Sequence, residues 1–226
     1  MPDYALLTVY LLALASAISV SAWAATSAPT VLKPYFTSEG QPAPTASSLL
    51  YLTALVQGFS FFLALKDPFI AATVPLCGLF ALMILTDSAV HKLPNRLTAM
   101  SAGYLAFGVC VALFGPTRFD YLALASSAAV GALIWTVPLW ILHRVGAGVG
   151  GGDVKLAPVI GAWLGLYGTG IAASGLGASF IFGGAVALIL LATGKVGWKS
   201  SIAFGPAMIA GALVTWFATG YLVSPG

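Results

Sequence analysis

Apolar residues run in long uninterrupted stretches along this chain, and short polar segments separate them. Windows long enough to cross about 30 Å of hydrocarbon predict eight spans. They lie at residues 4–25, 47–65, 68–86, 97–115, 121–142, 156–175, 177–194 and 202–223. The sixth carries Gly161, Gly165, Gly168 and Gly170, which blur its ends, so seven spans is the alternative count. The pattern predicts an all-α polytopic membrane protein, a bundle of about eight transmembrane helices.

The composition excludes a soluble globular domain. Hydrophobic residues make up 60% of the 226 residues, charged residues 7%, and the mean hydropathy is +1.01, which leaves too little polar surface to cover a water-soluble fold. We expect a single membrane domain over residues 1–226. The longest polar stretch, residues 26–46, is rich in Pro, Ser and Thr and predicts a flexible cytoplasmic linker with little regular structure.

The basic residues predict the orientation of the chain in the membrane. Seven of the nine Lys and Arg residues fall on alternate loops, namely Lys33, Lys92, Arg96, Arg144, Lys155, Lys195 and Lys199. The opposite loops hold only Lys66 and Arg118. By the positive-inside rule, the first set of loops is cytoplasmic and both termini lie outside. Because orientation explains the net charge of +3, no nucleic-acid partner is expected.

Two isolated acids stand at the ends of apolar segments, both on the predicted cytoplasmic face. Asp87 follows the run Leu82–Thr86, and Asp153 follows three glycines. A carboxylate at the edge of the hydrocarbon is costly to keep, which makes each a candidate functional residue. Two such groups can hold one proton between them, so that one acts as a base and the other as an acid. They would titrate as a unit, and the two roles stay unassigned.

The residues around the two acids predict how the chain turns there. We expect Gly150 and Gly152 to adopt positive φ and to let a substrate strand approach closely. Pro94 and Asn95 are expected to turn the chain after the Asp87 helix. Lys155 is expected to lie among the lipid headgroups or to guide substrate.

Metal ligands and cofactor motifs do not emerge from the sequence. His91 and His143 fall on the same predicted face as the acids, but without a ligand-spaced motif. Cys77 and Cys110 lie inside apolar spans and share no C-x-x-C spacing. We therefore expect neither a metal nor another cofactor, and a reaction that uses carboxyl groups alone.

The acid motifs resemble those of a known family. Asp87 is followed after five residues by Leu93-Pro94-Asn95, and a Gly-x-Gly-Asp-x-Lys-Leu run places Asp153 66 residues after Asp87. The sequence then continues with Gly161-Ala162-Trp163-Leu164-Gly165 and, later, with Ala203-Phe204-Gly205-Pro206. This arrangement is similar to the type IV prepilin peptidases, the bacterial branch of the GxGD intramembrane aspartic proteases. The resemblance covers roughly residues 47–223, which would form the peptidase core.

The resemblance implies a function and a set of site residues. Asp87 and Asp153 would be the catalytic pair, and Gly205 with Pro206 would help to shape a substrate groove. The substrate would be a prepilin or pseudopilin with a short basic leader, cut at the cytoplasmic face of the bacterial inner membrane. Bifunctional members carry a cysteine-containing insertion between their first two spans, linked to N-methyltransferase activity. Residues 26–46 contain no cysteine, so we expect a peptidase without methyltransferase activity.

Two other classes of protein remain as alternatives. A proton- or cation-coupled transporter could use the two Asp residues as its binding groups, although its acids are expected near the bilayer midplane. A non-catalytic membrane protein of pilus assembly or secretion would need neither acid. The sequence leaves open which prepilin is cut, which residue follows the scissile bond, the oligomeric state and the resting distance between the acids.

Overall fold

A computed structural model describes residues 2–114, 120–194 and 203–222 of the chain. Within these ranges all regular secondary structure is helical, which confirms the predicted all-α membrane protein. The helices are α1 (Pro2–Thr26), α2 (Ala28–Ser38), α3 (Ala46–Leu63), α4 (Ile70–Val90), α5 (Asn95–Leu113), α6 (Tyr121–Arg144), α7 (Gly151–Gly165), α8 (Thr169–Ala192) and α9 (Gly205–Leu222). Arg118, Lys195 and Lys199, which entered the orientation argument, lie outside the described residues.

Six of these helices are long and apolar enough to cross a membrane: α1, α3, α4, α5, α6 and α8. Helix α7 has 15 residues, which at ~1.5 Å per residue gives about 22 Å, less than the ~30 Å of hydrocarbon. The predicted span at 156–175 has the wrong bounds, because α7 ends at Gly165 and a turn at Gly168, with φ 127°, precedes α8. The count of eight spans and the sides of the termini stay predictions.

The segment 26–46 contains a helix, in contrast to the expected lack of regular structure. In α2, Ala28, Leu32 and Phe36 are buried and recur every four residues, so they form one apolar stripe. Pro29 lies in the first turn, where its missing N–H costs nothing. A helix of 11 residues is marginal by itself, and the burial of this stripe provides its stability.

The helices cluster into two compact units, residues 1–120 and 121–226. In the first unit α4 lies at the centre, packed by α1, α2, α3 and α5. In the most apolar 18-residue stretch of α4, 83% of the residues are buried inside the protein, whereas in the corresponding stretches of α1, α3 and α5 at most one third are buried. Buried residues, most of them apolar, occupy all faces of α4, and such a helix belongs in a core. It therefore acts as the scaffold on which the first unit is built.

Polar side chains link the helices around α4. The Ser21 hydroxyl of α1 donates to Oε1 of the buried Gln57 in α3 at 2.7 Å. The Gln57 side chain in turn covers Gly78 of α4, where a Cβ atom would collide with it. Ser19 of α1 and Tyr104 of α5 share a hydrogen bond of 2.6 Å. Because lipid cannot solvate such groups, these contacts help to fix which faces of the helices meet.

The second unit is built around α7, which packs against α6, α8 and α9. Helices α6 and α7 meet backbone to backbone: a Cβ atom on Gly161 would collide with the Gly131 carbonyl, and one on Gly165 with Ser127. The Ser127 hydroxyl donates to the Gly165 carbonyl at 2.6 Å. Small residues four apart are the usual means of such close approach in membranes.

We predict that Gly161→Ala destabilises the protein. The new methyl group meets backbone of α6, which cannot move aside without separating the helices, so we expect a loss of ~1–3 kcal/mol. Thermal unfolding in detergent measures it. Gly177→Ala in α8 is the matched control, because nothing lies within 4 Å of a Cβ atom there. Equal unfolding temperatures for the two variants would contradict the packing argument.

Candidate active site

Asp87 lies in the last turn of α4 and is only 5% exposed. The helix ends at His91, which adopts a left-handed conformation with φ 52° and donates its N–H to the Asp87 carbonyl at 2.9 Å. A residue other than glycine is uncommon in this conformation. The chain then reaches the buried Pro94, which caps α5, and the exposed Asn95, its first residue. Both therefore lie at the turn where they were expected.

The loop after Asp87 is connected to α2. Lys92 Nζ lies 2.6 Å from Glu39 Oε1 and donates to the Ser38 hydroxyl at 3.2 Å. The hydrogen bond from Lys92, together with its positive charge, holds the pKa of Glu39 below its ordinary value of 4.5. The side chains of Lys92 and Glu39 are 44% and 46% exposed, so the ion pair contributes little to stability. It nevertheless connects α2 to the loop after Asp87.

Asp153 is the third residue of α7 and is also 5% exposed. Its Oδ2 accepts a hydrogen bond of 3.0 Å from the N–H of Gly150, the N-cap residue. This contact and the N-terminal end of the helix both favour negative charge at this place. A Cβ atom on Gly150 would lie 3.3 Å from the same oxygen, which is tighter than usual. Glycine at this position therefore leaves room for the carboxylate.

The expectation of positive φ at Gly150 and Gly152 is wrong. Gly150 has φ −73°, and Gly152 lies inside α7. The left-handed positions of this loop are Gly146, with φ 72°, and Gly148, with φ 81°. Glycine at those two positions is required by the path of the chain, whereas at Gly150 it is favoured by the space that Asp153 occupies.

The loop between α6 and α7 has a defined shape. The Gly146 N–H donates to the His143 carbonyl at 3.2 Å and the Ala147 N–H to the Leu142 carbonyl at 2.9 Å. These two bonds form a Schellman motif, a common way to end a helix. The His143 side chain then reaches across the loop, with Nδ1 2.9 Å from the Val149 carbonyl oxygen. From the sequence, His143 was a candidate only for a metal site, and no sequence pattern signals its contact with the loop.

The remaining candidates lie in the second unit. Lys155 is exposed in α7. Gly205 is buried at the start of α9, and Pro206 follows it in the first turn, where proline suits a helix. Among the described residues, no group of three His, Cys, Asp or Glu side chains could hold a metal ion. Among the site residues predicted from the sequence, Gly150 and Asp153 are in direct contact, through the hydrogen bond from the Gly150 N–H to Asp153 Oδ2.

Comparison with known proteins connects these residues to an established family. The model of the type IV leader peptidase family matches residues 74–194, a range that includes both acids. A prepilin leader peptidase/N-methyltransferase of Burkholderia pseudomallei (strain 1026b) is 33% identical over 152 residues, 65% of this chain and 46% of the relative. The corresponding protein of Bacillus subtilis (strain 168) is 29% identical over 147 residues, 65% of this chain and 55% of the relative.

The chain therefore spans about half the length of these curated relatives. No solved structure matches it.

We predict that the ion pair of Glu39 and Lys92 restrains α2. A nitroxide label at Thr37→Cys, with the exposed Cys110 replaced by Ser, reports the motion of this helix by its spectral line shape. Glu39→Lys should raise the label's mobility, and the exchanged pair Glu39→Lys with Lys92→Glu should lower it again. Unchanged mobility in the single variant would show that apolar packing alone holds α2.

We also predict that the mobility of this label depends on pH. The pKa of Glu39 is lowered in the folded protein, so the contribution of the pair is complete above about 4.5, the ordinary value. It is lost only as the pH falls through the lowered pKa. Label mobility should therefore be constant above that value and rise below it, and Glu39→Gln should abolish the rise. A rise centred well above pH 4.5 would assign it to another group.

Proposed function

Because the chain belongs to the type IV leader peptidase family, we propose that it is an aspartic endopeptidase that removes the short basic leader from type IV prepilins or pseudopilins. It would act at the cytoplasmic face of the bacterial inner membrane, with Asp87 and Asp153 as the catalytic pair. The observation that carries the proposal is the burial of both acids, each 5% exposed, within the range matched by the family model.

The placement of each acid supports this assignment. Asp87 lies at the end of α4, the buried centre of the first unit, and Asp153 at the start of α7, the centre of the second. A carboxyl group at the end of a well-packed helix has little freedom of position, which is what a reacting group requires. A helix end also leaves backbone groups unpaired in the helix, and these can solvate a charge where water is scarce.

The proposed reaction needs only the two carboxyl groups and water. One carboxylate takes a proton from water while the water oxygen bonds to the scissile carbonyl carbon. The other carboxyl group, which is protonated, donates its proton to the leaving amide nitrogen as the C–N bond breaks. The pair ends with its single proton on the opposite member, and proton exchange with solvent restores the starting state before the next cycle. The Gly150 N–H would stabilise the charge on Asp153 while it is ionised.

We further propose that the chain is a peptidase without methyltransferase activity. The relatives are named for both activities. Between α1 and α3 this chain carries α2 and no cysteine. The helix bonds to the loop that follows Asp87, so this segment has a structural connection to the proposed site.

We predict that Asp87→Asn and Asp153→Asn each lower cleavage of a model prepilin by roughly 10²–10⁴-fold, because each removes one proton-transfer group. Purified protein in nanodiscs with an intact-leader substrate provides the assay. Asp120→Asn is the matched control, since Asp120 is an exposed acid and lies outside α4 and α7. Full activity in either active-site variant, or no cleavage of several prepilins by the wild type, would favour a transporter or an assembly protein.

A second expectation concerns pH. Since the pair needs one proton to be shared, the cleavage rate should fall at both low and high pH. A rate measured across the pH range at saturating substrate tests this, and a zinc chelator should leave it unchanged. A flat profile or complete inhibition by the chelator would contradict a two-carboxylate mechanism.

A further inference from the structure

We infer that His143 is a positioning residue for Asp153, acting through the peptide group between Val149 and Gly150. The inference rests on the proposed function in that Asp153 is taken as a catalytic group. It assigns to His143 a role in holding that group, without contact with the substrate.

One peptide group makes both contacts. His143 Nδ1 lies 2.9 Å from the Val149 carbonyl oxygen. The N–H of the same peptide group, that of Gly150, donates to Asp153 Oδ2 at 3.0 Å. A peptide group is planar, so its C=O and N–H point in opposite directions and turn together. A side chain that fixes the oxygen therefore also fixes the direction in which the N–H points.

The loop needs such a restraint. Gly146 and Gly148 both have positive φ, and a Cβ atom added to either would have no described atom within 4 Å, so the space beside these two glycines is open. Glycine has more backbone freedom to lose than any other residue. The Schellman bonds restrain the loop as far as Ala147. The His143 contact restrains Val149, one residue before the helix cap.

The position of the imidazole ring agrees with this role. His143 lies in the last turn of α6, and a Cβ atom built on Gly151 would be 3.7 Å from its Cε1. The ring thus lies beside the first residue of α7 while it bonds to the loop. Since the Val149 oxygen can only accept, Nδ1 must carry the hydrogen, as it does in one neutral tautomer and in the imidazolium ion.

A chain of two hydrogen bonds through one peptide group has an electrostatic consequence. A donor on the carbonyl oxygen polarises the peptide and makes its N–H a better donor to the carboxylate. The loss of the His143 donor should therefore weaken the Asp153 contact as well as loosen the loop. The effect should appear in the catalytic step more than in substrate binding.

Three substitutions separate the donor from the ring. His143→Asn places an amide nitrogen where Nδ1 stood, because both atoms are bonded to Cγ. His143→Gln moves the donor one atom further out, and His143→Phe keeps an aromatic ring without a donor. Arg144→Gln is the matched control, because Arg144 is the next residue and its guanidinium lies over the Trp140 ring at 5.1 Å.

The first readout is steady-state cleavage. We expect kcat to fall about five- to tenfold in His143→Phe and His143→Gln, the effect of one lost hydrogen bond, with KM unchanged. His143→Asn should restore kcat to within about twofold of the wild type. Equal losses in the Asn and Phe variants would overturn the inference, because the role would then not depend on a donor at this position.

The second readout is independent of catalysis. Amide hydrogen exchange at Gly150 should accelerate in His143→Phe and stay slow in His143→Asn and Arg144→Gln. Unchanged exchange in the Phe variant would overturn the inference whatever the cleavage rate; if that variant does not fold, the Gln variant takes its place. Asp153→Asn in the same cleavage assay tests the proposed function separately, because its full activity would remove the catalytic role while the exchange result would still decide the positioning role.

Discussion

The structure depends on the cost of burying a carboxyl group beside hydrocarbon. Such a group needs hydrogen-bond partners from the protein, since lipid provides none. Asp153 has one in the N–H of its own helix cap, a group that the helix cannot satisfy internally. The place of the acid thus depends on where α7 begins, and the beginning of α7 depends on the loop before it. The glycines of that loop and His143, which bonds to it, therefore both bear on the hydrogen bond that Asp153 receives.

The two units stabilise their central helices by different means. In the first, most of α4 is apolar and buried, and hydrogen bonds such as that from Ser21 to Gln57 fix the helices that surround it. In the second, the short α7 contacts α6 through the backbones of Gly131 and Gly161. A helix shorter than the hydrocarbon layer cannot be fixed by polar groups at both membrane surfaces, so contacts with neighbouring helices must fix its position. Backbone contact achieves this with little loss of side-chain entropy.

The all-helical class was predicted correctly, and six predicted apolar segments correspond to helices long and apolar enough to cross a membrane, because long apolar runs are the sequence signal for such helices. The sequence-based predictions were wrong where tertiary packing determines whether a helix forms or where it ends. Helix α2 depends on the burial of Leu32 and Phe36; their four-residue spacing is typical of a helix, but the Pro, Ser and Thr content of the segment favoured a linker in the prediction. In the range 156–175 the glycines belong to helix contacts and to a turn, so the hydropathy window joined two helices. The acids were identified because isolated charges are rare in this chain, whereas the role of His143 exists only in the folded loop.

The glycines before Asp153 show why a motif can be recognised before it is understood. Close approach of a substrate strand is expected at Gly150 and Gly152, whereas the structure gives separate reasons for glycine at Gly146, Gly148 and Gly150. Gly146 and Gly148 have backbone conformations that side chains disfavour, although space around them is open. Gly150 has an ordinary φ, but a side chain there would press on the Asp153 carboxylate. Backbone conformation thus favours glycine at the first two positions, and the nearby Asp153 carboxylate favours it at the third. The glycine loop therefore has structural reasons of its own, and the approach of substrate to it stays a prediction.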